Sequence, residues 1–330
     1  MSKMRAGVNG FGRVGLHLLK YWLDRAGEAN FEIAAINDEV LTLEQAFNII
    51  QNDKYVKFNA YDVSKGHGAL IINHSNGKNY AIPYTTLPKN KIPWVGKVNI
   101  ALECSGKYTT KLESDSYVTG KTKVAVVSAT VWDADKTLVY GFNHEEYLPG
   151  MRVISYGSCT VNAYVALASY INDKYGVEDS DFSVIHNLPE YQLKNFNSLN
   201  RKFSTIQKSA CSLLPFLSDE KNFAVMYTIV PYAGVSMLDF RFRVKRPISK
   251  GTLFTDLEQA ITQGKLKGLY GISDTNNGPE EHKFTTHSAV IVKSTSKTVG
   301  NNIYLHGYMD NENSVNRYFD LVDYISSNLA

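Results

Sequence analysis

The chain has 330 residues, 44% of them apolar and 20% charged, and 35 Lys and Arg against 32 Asp and Glu leave a formal charge of +3. A balance so near zero argues against a nucleic-acid or membrane-surface partner, since both need clustered basic charge, and the apolar content excludes an intrinsically disordered chain. At about 150 residues per domain, the length suggests two domains, each able to bury its own core.

No run approaches the roughly 18 apolar residues of a membrane helix, and the start offers no apolar segment of signal-peptide length, so a soluble, cytoplasmic protein is expected. The three cysteines, Cys104, Cys159 and Cys211, are odd in number and widely spaced, which fits neither a disulfide framework nor a zinc site. The histidines outside the motifs below show no i,i+4 pairing, and no metal is expected.

In chain order, Met4 to Val8 predicts a strand, followed by a helical stripe at Val14, Leu18, Tyr21 and Trp22. Phe31 to Ile36 predicts the next strand and Leu43 to Ile50 a helix. Further strands are predicted at Val98 to Leu102, Val124 to Ser128 and Leu138 to Gly141. Continuous apolar strands alternating with helices indicate a parallel sheet covered on both faces. Beyond Cys159 comes a helix with Val161, Val165, Ala168 and Ile171 on one face and Gly176 as its stop, then a strand over Phe182 to Ile185.

From there the strands lengthen. Ser209 to Leu217 reads as a helical run around Cys211. Ala224 to Pro231, Val235 to Val244, His287 to Lys293 and Ile303 to Tyr308 read as strands, the second with Phe240, Phe242 and Val244 alternating with arginines as on a sheet with one wet face. Tyr318, Leu321, Tyr324 and Ile325 mark a closing helix. The predicted fold is α/β, with a doubly wound parallel-sheet domain over residues 1–158 and 311–330. An α+β domain with a mainly antiparallel sheet occupies residues 159–310.

Gly10, Phe11, Gly12, Arg13, Val14 and Gly15 satisfy G-x-G-x-x-G between the first strand and first helix. The glycines allow a tight turn, close approach to a pyrophosphate and close helix–strand packing, while the helix N-terminus offers unpaired N–H groups to the anion. Asp38 ends the second strand, 23 residues after Gly15, where a carboxylate holds the adenosine ribose hydroxyls. It would repel a 2′-phosphate, so the expected cofactor is NAD. The alternative is that the glycines only turn the chain and Asp38 caps a helix.

Cys159 stands at the start of its helix, where the partial positive charge of the N-terminus favours thiolate, and His186 lies at the end of the next strand. Either residue alone reads as core or structural. Together with a nicotinamide site they imply a nucleophile and base that oxidise an aldehyde through a thiohemiacetal and a thioester.

These residues carry a resemblance. VNGFGRVG at Val8 to Gly15, AIND ending at Asp38, ECSG at Glu103 to Gly106, VVSA at Val126 to Ala129, GFNHE at Gly141 to Glu145, SCTVN at Ser158 to Asn162 and DNE at Asp310 to Glu312 are similar to the phosphorylating glyceraldehyde-3-phosphate dehydrogenases. The resemblance implies Cys159 as acylated nucleophile and His186 as base. It also implies cofactor contacts at Ser105, Gly106 and Ser128, and at Asn311 or its neighbour Asp310 for the nicotinamide amide. Ser158, Thr160, Thr205 and Arg201 are the implied substrate or phosphate contacts. A small aldehyde, inorganic phosphate and a homo-oligomer, tetramer or dimer, are the implied partners.

The chain departs from the family's pattern at Val161 in the cysteine block, at Pro189 where the family has a threonine for substrate phosphate, and at Ile229 where it has a phosphate-binding arginine. Each lost charge-assisted hydrogen bond would contribute on the order of 1.5–3 kcal/mol to holding a phosphate. Arg201, Lys202 or Lys208 would have to replace them, unless they form only a solvated basic loop. Two alternatives therefore stand beside glyceraldehyde 3-phosphate oxidation: a divergent paralogue oxidising another aldehyde or acylating a carrier, and an NAD-binding interaction protein whose catalysis has been retired.

Overall fold

The computed structural model describes residues 3–187, 200–231, 234–312 and 314–329. The chain forms two compact units, residues 1–138, 143–157 and 318–330 in the first and 139–142 and 158–317 in the second.

The first unit comprises β1 (Met4–Asn9), α1 (Arg13–Arg25), β2 (Phe31–Asn37), α2 (Leu43–Asn52), β3 (Tyr61–Gly66), β4 (Ala69–His74), β5 (Asn79–Thr85), β6 (Ile100–Glu103), α3 (Lys111–Asp115), β7 (Val124–Val127), β8 (Lys136–Thr137) and β9 (Val153–Ser155). Its sheet runs β3-β4-β5-β2-β1-β6-β7-β9-β8. Every pairing from β5 to β8 is parallel. β6 and β7 are buried along their whole length, as expected of strands covered on both faces.

Three expectations change here. The helical stripe of α1 is Leu16, Leu18, Leu19, Trp22 and Leu23, with Val14 and Tyr21 only half-buried. Leu138 to Gly141 is a turn rather than a strand: Gly141 sits at φ +82°, and Phe142 N–H closes on the Val139 carbonyl at 3.0 Å. The antiparallel meander β3-β4-β5 was not foreseen. Its strands are short and about half polar, and its first hairpin turns at His67 and Gly68, both at positive φ.

The second unit comprises α4 (Cys159–Tyr175), β10 (Val177–Asn187), β11 (Asn200–Arg201), α5 (Thr205–Leu213), β12 (Phe223–Val230), β13 (Val235–Val244), α6 (Lys250–Thr262), β14 (Tyr270–Ser273), β15 (Ala289–Val299) and β16 (Asn302–Asp310). The mainly antiparallel order is β11-β12-β10-β13-β16-β15-β14, with β10–β12 and β14–β15 parallel. α4 is buried over most of its length because Tyr164, Leu167 and Ile171 pack into one core with Phe182, Phe240 and Phe242. Tyr164 Oη donates to Ser180 Oγ at 2.7 Å and Tyr270 Oη to the Ala163 carbonyl at 3.0 Å, so the helix is also tied by buried hydrogen bonds. The final helix, α7 (Val315–Asn328), enters the first unit from Tyr318 and sets Phe319 against Phe31, ring centroids 5.3 Å apart.

Gly15 is where a methyl group has no room. A Cβ there would stand 2.1 Å from the Gly10 carbonyl oxygen, a backbone atom that cannot swing aside. Gly15→Ala should therefore cost roughly 2–3 kcal/mol of stability despite alanine's better helix propensity, read as a lower urea midpoint.

Candidate active site

In the first unit the parallel strands β2, β1, β6 and β7 all end at one edge of the sheet, and the segments following them carry Asp38, the glycine fingerprint, Ser105 with Gly106, and Ser128. This is the side of a doubly wound sheet on which nucleotides bind, at the strand flanked by neighbours that run off in opposite directions. Gly10 sits at φ +95°, and a Cβ on it would lie 2.4 Å from the Ser105 backbone nitrogen. At Gly12 a Cβ would meet nothing within 4 Å, so the turn opens onto free space before α1. Gly12 is the N-cap and no side chain caps the helix, which leaves first-turn N–H groups, that of Val14 among them, for an anion. These residues fit a dinucleotide.

Asp38 is buried, and its carboxylate accepts from the backbone N–H of Phe11 (2.7 Å), Val40 (2.8 Å) and Leu41 (2.7 Å), which locks the fingerprint turn to the end of β2. The Arg13 guanidinium is engaged elsewhere, on Asp53 and the His17 ring. Glu103 accepts from Asn9 Nδ2 (2.9 Å), Tyr117 Oη (2.7 Å) and the Ser105 backbone N–H (2.7 Å), and so fixes the turn at Ser105 and Gly106. Ser128 is held through its N–H on the Glu103 carbonyl. Cys104 is buried, and burial holds its thiol far above the ordinary range.

In the second unit Cys159 is the first residue of α4 and Ser158 its N-cap, with Ser158 Oγ accepting from Val161 N–H at 3.3 Å. β10 carries His186 to the same place, with Nε2 3.7 Å from Cys159 Sγ. Burial works against the helix terminus at this sulfur. Burial pushes the thiol up to about 11, against the lowering influence of the Thr160 and Cys159 backbone, and pushes the imidazole down to about 4. Desolvation thus favours the neutral form of both partners, against the pull of the helix terminus toward thiolate.

Around the pair, Ser158 Oγ lies 3.2 Å from Thr160 Oγ1 and 3.4 Å from Thr205 Oγ1, so the first turns of α4 and α5 bring three hydroxyls together. Arg201 does not join them: it is exposed on β11 with its guanidinium at Met226 Sδ. Lys202 and Lys208 are also exposed, Lys208 over the Phe203 ring. Ile229 is buried opposite His186 in the β10–β12 pairing. Pro189 lies outside the described residues.

Asn311 donates from Nδ2 to Asn187 Oδ1 at 2.9 Å and accepts from Ser236 Oγ at 2.7 Å, bracing the end of the strand that carries His186. Asp310 is buried and accepts from the Phe284 N–H. The residue that sequence reasoning missed is Tyr227, whose ring centroid stands 5.3 Å from that of His186. Its spacing of two from Ile229 was the available signal. Among the described residues no helix is long and apolar enough to cross a membrane, and no group of three or more potential metal ligands occurs.

A sequence model described as the NAD-binding domain of glyceraldehyde 3-phosphate dehydrogenase matches residues 4–111. Glyceraldehyde-3-phosphate dehydrogenase 1 of Bacillus cereus is 27% identical, covering 98% of each chain. The enzymes of that name from Priestia megaterium and Ogataea parapolymorpha are 28% and 29% identical, covering 98% and 81% of each chain. Over nearly its whole length the chain is similar to glyceraldehyde-3-phosphate dehydrogenases. These similarities indicate an NAD-dependent oxidoreductase acting on an aldehyde group. The fingerprint, Asp38 and the Ser105 turn all fall inside the matched NAD-binding segment or at the strand ends that frame it.

Proposed function

We propose that the chain oxidises glyceraldehyde 3-phosphate through a thioester on Cys159, with His186 as base and inorganic phosphate as acyl acceptor. The observation that carries this reading is the 3.7 Å approach of His186 Nε2 to Cys159 Sγ at the head of α4. Nε2 takes the thiol proton as Sγ bonds to the carbonyl carbon and the C=O π electrons move to oxygen; the imidazolium then returns that proton to the oxyanion, giving the thiohemiacetal hydroxyl and a neutral imidazole. The thiohemiacetal hydroxyl then loses its proton to the imidazole as the C–H bond breaks.

NAD, when bound, supplies the acceptor for that hydride; Gly10, Phe11, Gly12, Arg13, Val14, Asp38, Ser105, Gly106 and Ser128 are the residues of the first unit that would hold it, with Asn311 as the second unit's candidate. Ser158, Thr160 and Thr205 offer three hydroxyls beside the sulfur, where an attacking phosphate oxygen forms the new C–O bond and releases the thiolate.

A second reading, an aldehyde without phosphate, is favoured by the buried Ile229 opposite His186 and the outward-facing Arg201. Purified protein with NAD, phosphate and a panel of aldehydes separates the two. Phosphate-dependent NADH absorbance with glyceraldehyde 3-phosphate is expected. Turnover confined to unphosphorylated aldehydes moves the assignment to the second reading, and no turnover with any of them rejects both.

A further inference from the structure

We propose that Tyr227 is a positioning residue that holds the His186 imidazole in the orientation aiming Nε2 at Cys159. The inference rests on reading Cys159 and His186 as nucleophile and base. A base of this kind is usually oriented by a hydrogen bond on its far nitrogen, which fixes both tautomer and rotation. Among the described residues that bond is missing: His186 Nδ1 is buried with no hydrogen-bond partner among them. Rotation of the ring therefore has to be limited by packing.

The sheet supplies the packing. β10 and β12 run parallel with His186 opposite Ile229 and Val184 opposite Tyr227. Alternation along each strand then places His186, Ile229 and Tyr227 on one face. The phenol ring lies against the imidazole at 5.3 Å between centroids, inclined by 35°. Tyr227 is itself anchored, since its carbonyl accepts from Lys202 N–H at 3.0 Å and its ring is partly packed on the core of the second unit. Among the described residues its hydroxyl makes no hydrogen bond, so the flat ring is the part that acts. An aromatic neighbour at this distance and tilt holds an imidazole more firmly than an aliphatic side chain of equal volume.

The test needs neither substrate nor cofactor: the rate of Cys159 alkylation by iodoacetamide near neutral pH, with thermal midpoints measured alongside. Tyr227→Phe should stay within about twofold of wild type, because it keeps the ring. Tyr227→Leu should be slower by about tenfold, approaching His186→Asn. If Tyr227→Leu does not fold, Tyr227→Met gives the same reading.

If His186→Asn alkylates as fast as wild type, the nucleophile–base reading itself fails. If His186→Asn is slow while Tyr227→Leu keeps the wild-type rate, only the positioning role is overturned. Equal slowing in Tyr227→Phe and Tyr227→Leu also overturns it, since the hydroxyl rather than the ring would then matter.

Discussion

Cys159→Ser should lower NADH production with the best aldehyde on the order of 10³-fold or more, while the NAD complex forms as before. The serine hydroxyl is a far poorer nucleophile than the thiol and a far poorer leaving group once acylated, so both halves of the cycle suffer. The cofactor cradle is untouched because Asp38, Gly10 and Glu103 are organised entirely within the first unit. Steady-state rates beside NAD titration by protein fluorescence check this. Wild-type turnover in the serine variant would remove the thioester from the mechanism, whatever the fate of the cofactor site.

His186→Asn should cost about 10²–10⁴-fold in kcat, the range for a positioned general base. It should also change how stability depends on pH. Burial holds the imidazole at about 4 in the folded protein, below its ordinary 6.5, so between these values the unfolded chain binds the extra proton. The stability associated with neutral His186 is complete above about 6.5 and is lost as pH falls toward 4. The difference in unfolding free energy between wild type and variant should therefore shift by on the order of 3 kcal/mol across this window, with wild type losing more toward acid. Urea melts of both proteins at several pH values give the difference directly, and parallel curves would show that the ring is not held neutral.

What the sequence made legible follows from how local its signals are. The fingerprint, Asp38, and Ser158 with Cys159 ahead of a helix are short motifs whose chemistry depends on neighbours in the chain, and each sits where a strand ends or a helix starts. The continuous apolar strands β6 and β7 were equally plain. The meander β3-β4-β5 was not, since each strand is short and half polar and is stabilised by pairing rather than by its own pattern. Leu138 to Gly141 had the composition of a strand, and only the glycine's positive φ shows the turn.

The resting protonation of Cys159 lay beyond composition as well, because it depends on how completely Cys159 and His186 are desolvated by residues distant in sequence. Tyr227 belongs to the same class: its meaning arises from a parallel pairing between strands dozens of positions apart.

The burial of α4 from Thr160 to Ala168 has a consequence for motion. A rod packed all round over its first half and bolted by Tyr164 and Tyr270 belongs to the last cooperative piece of its unit to open, and its central amides should be among the slowest to exchange with deuterium. The sulfur at its tip is therefore mounted on the stiffest girder available. Whatever flexing accompanies turnover has to come from segments that approach this fixed point, not from the thiol travelling to meet them.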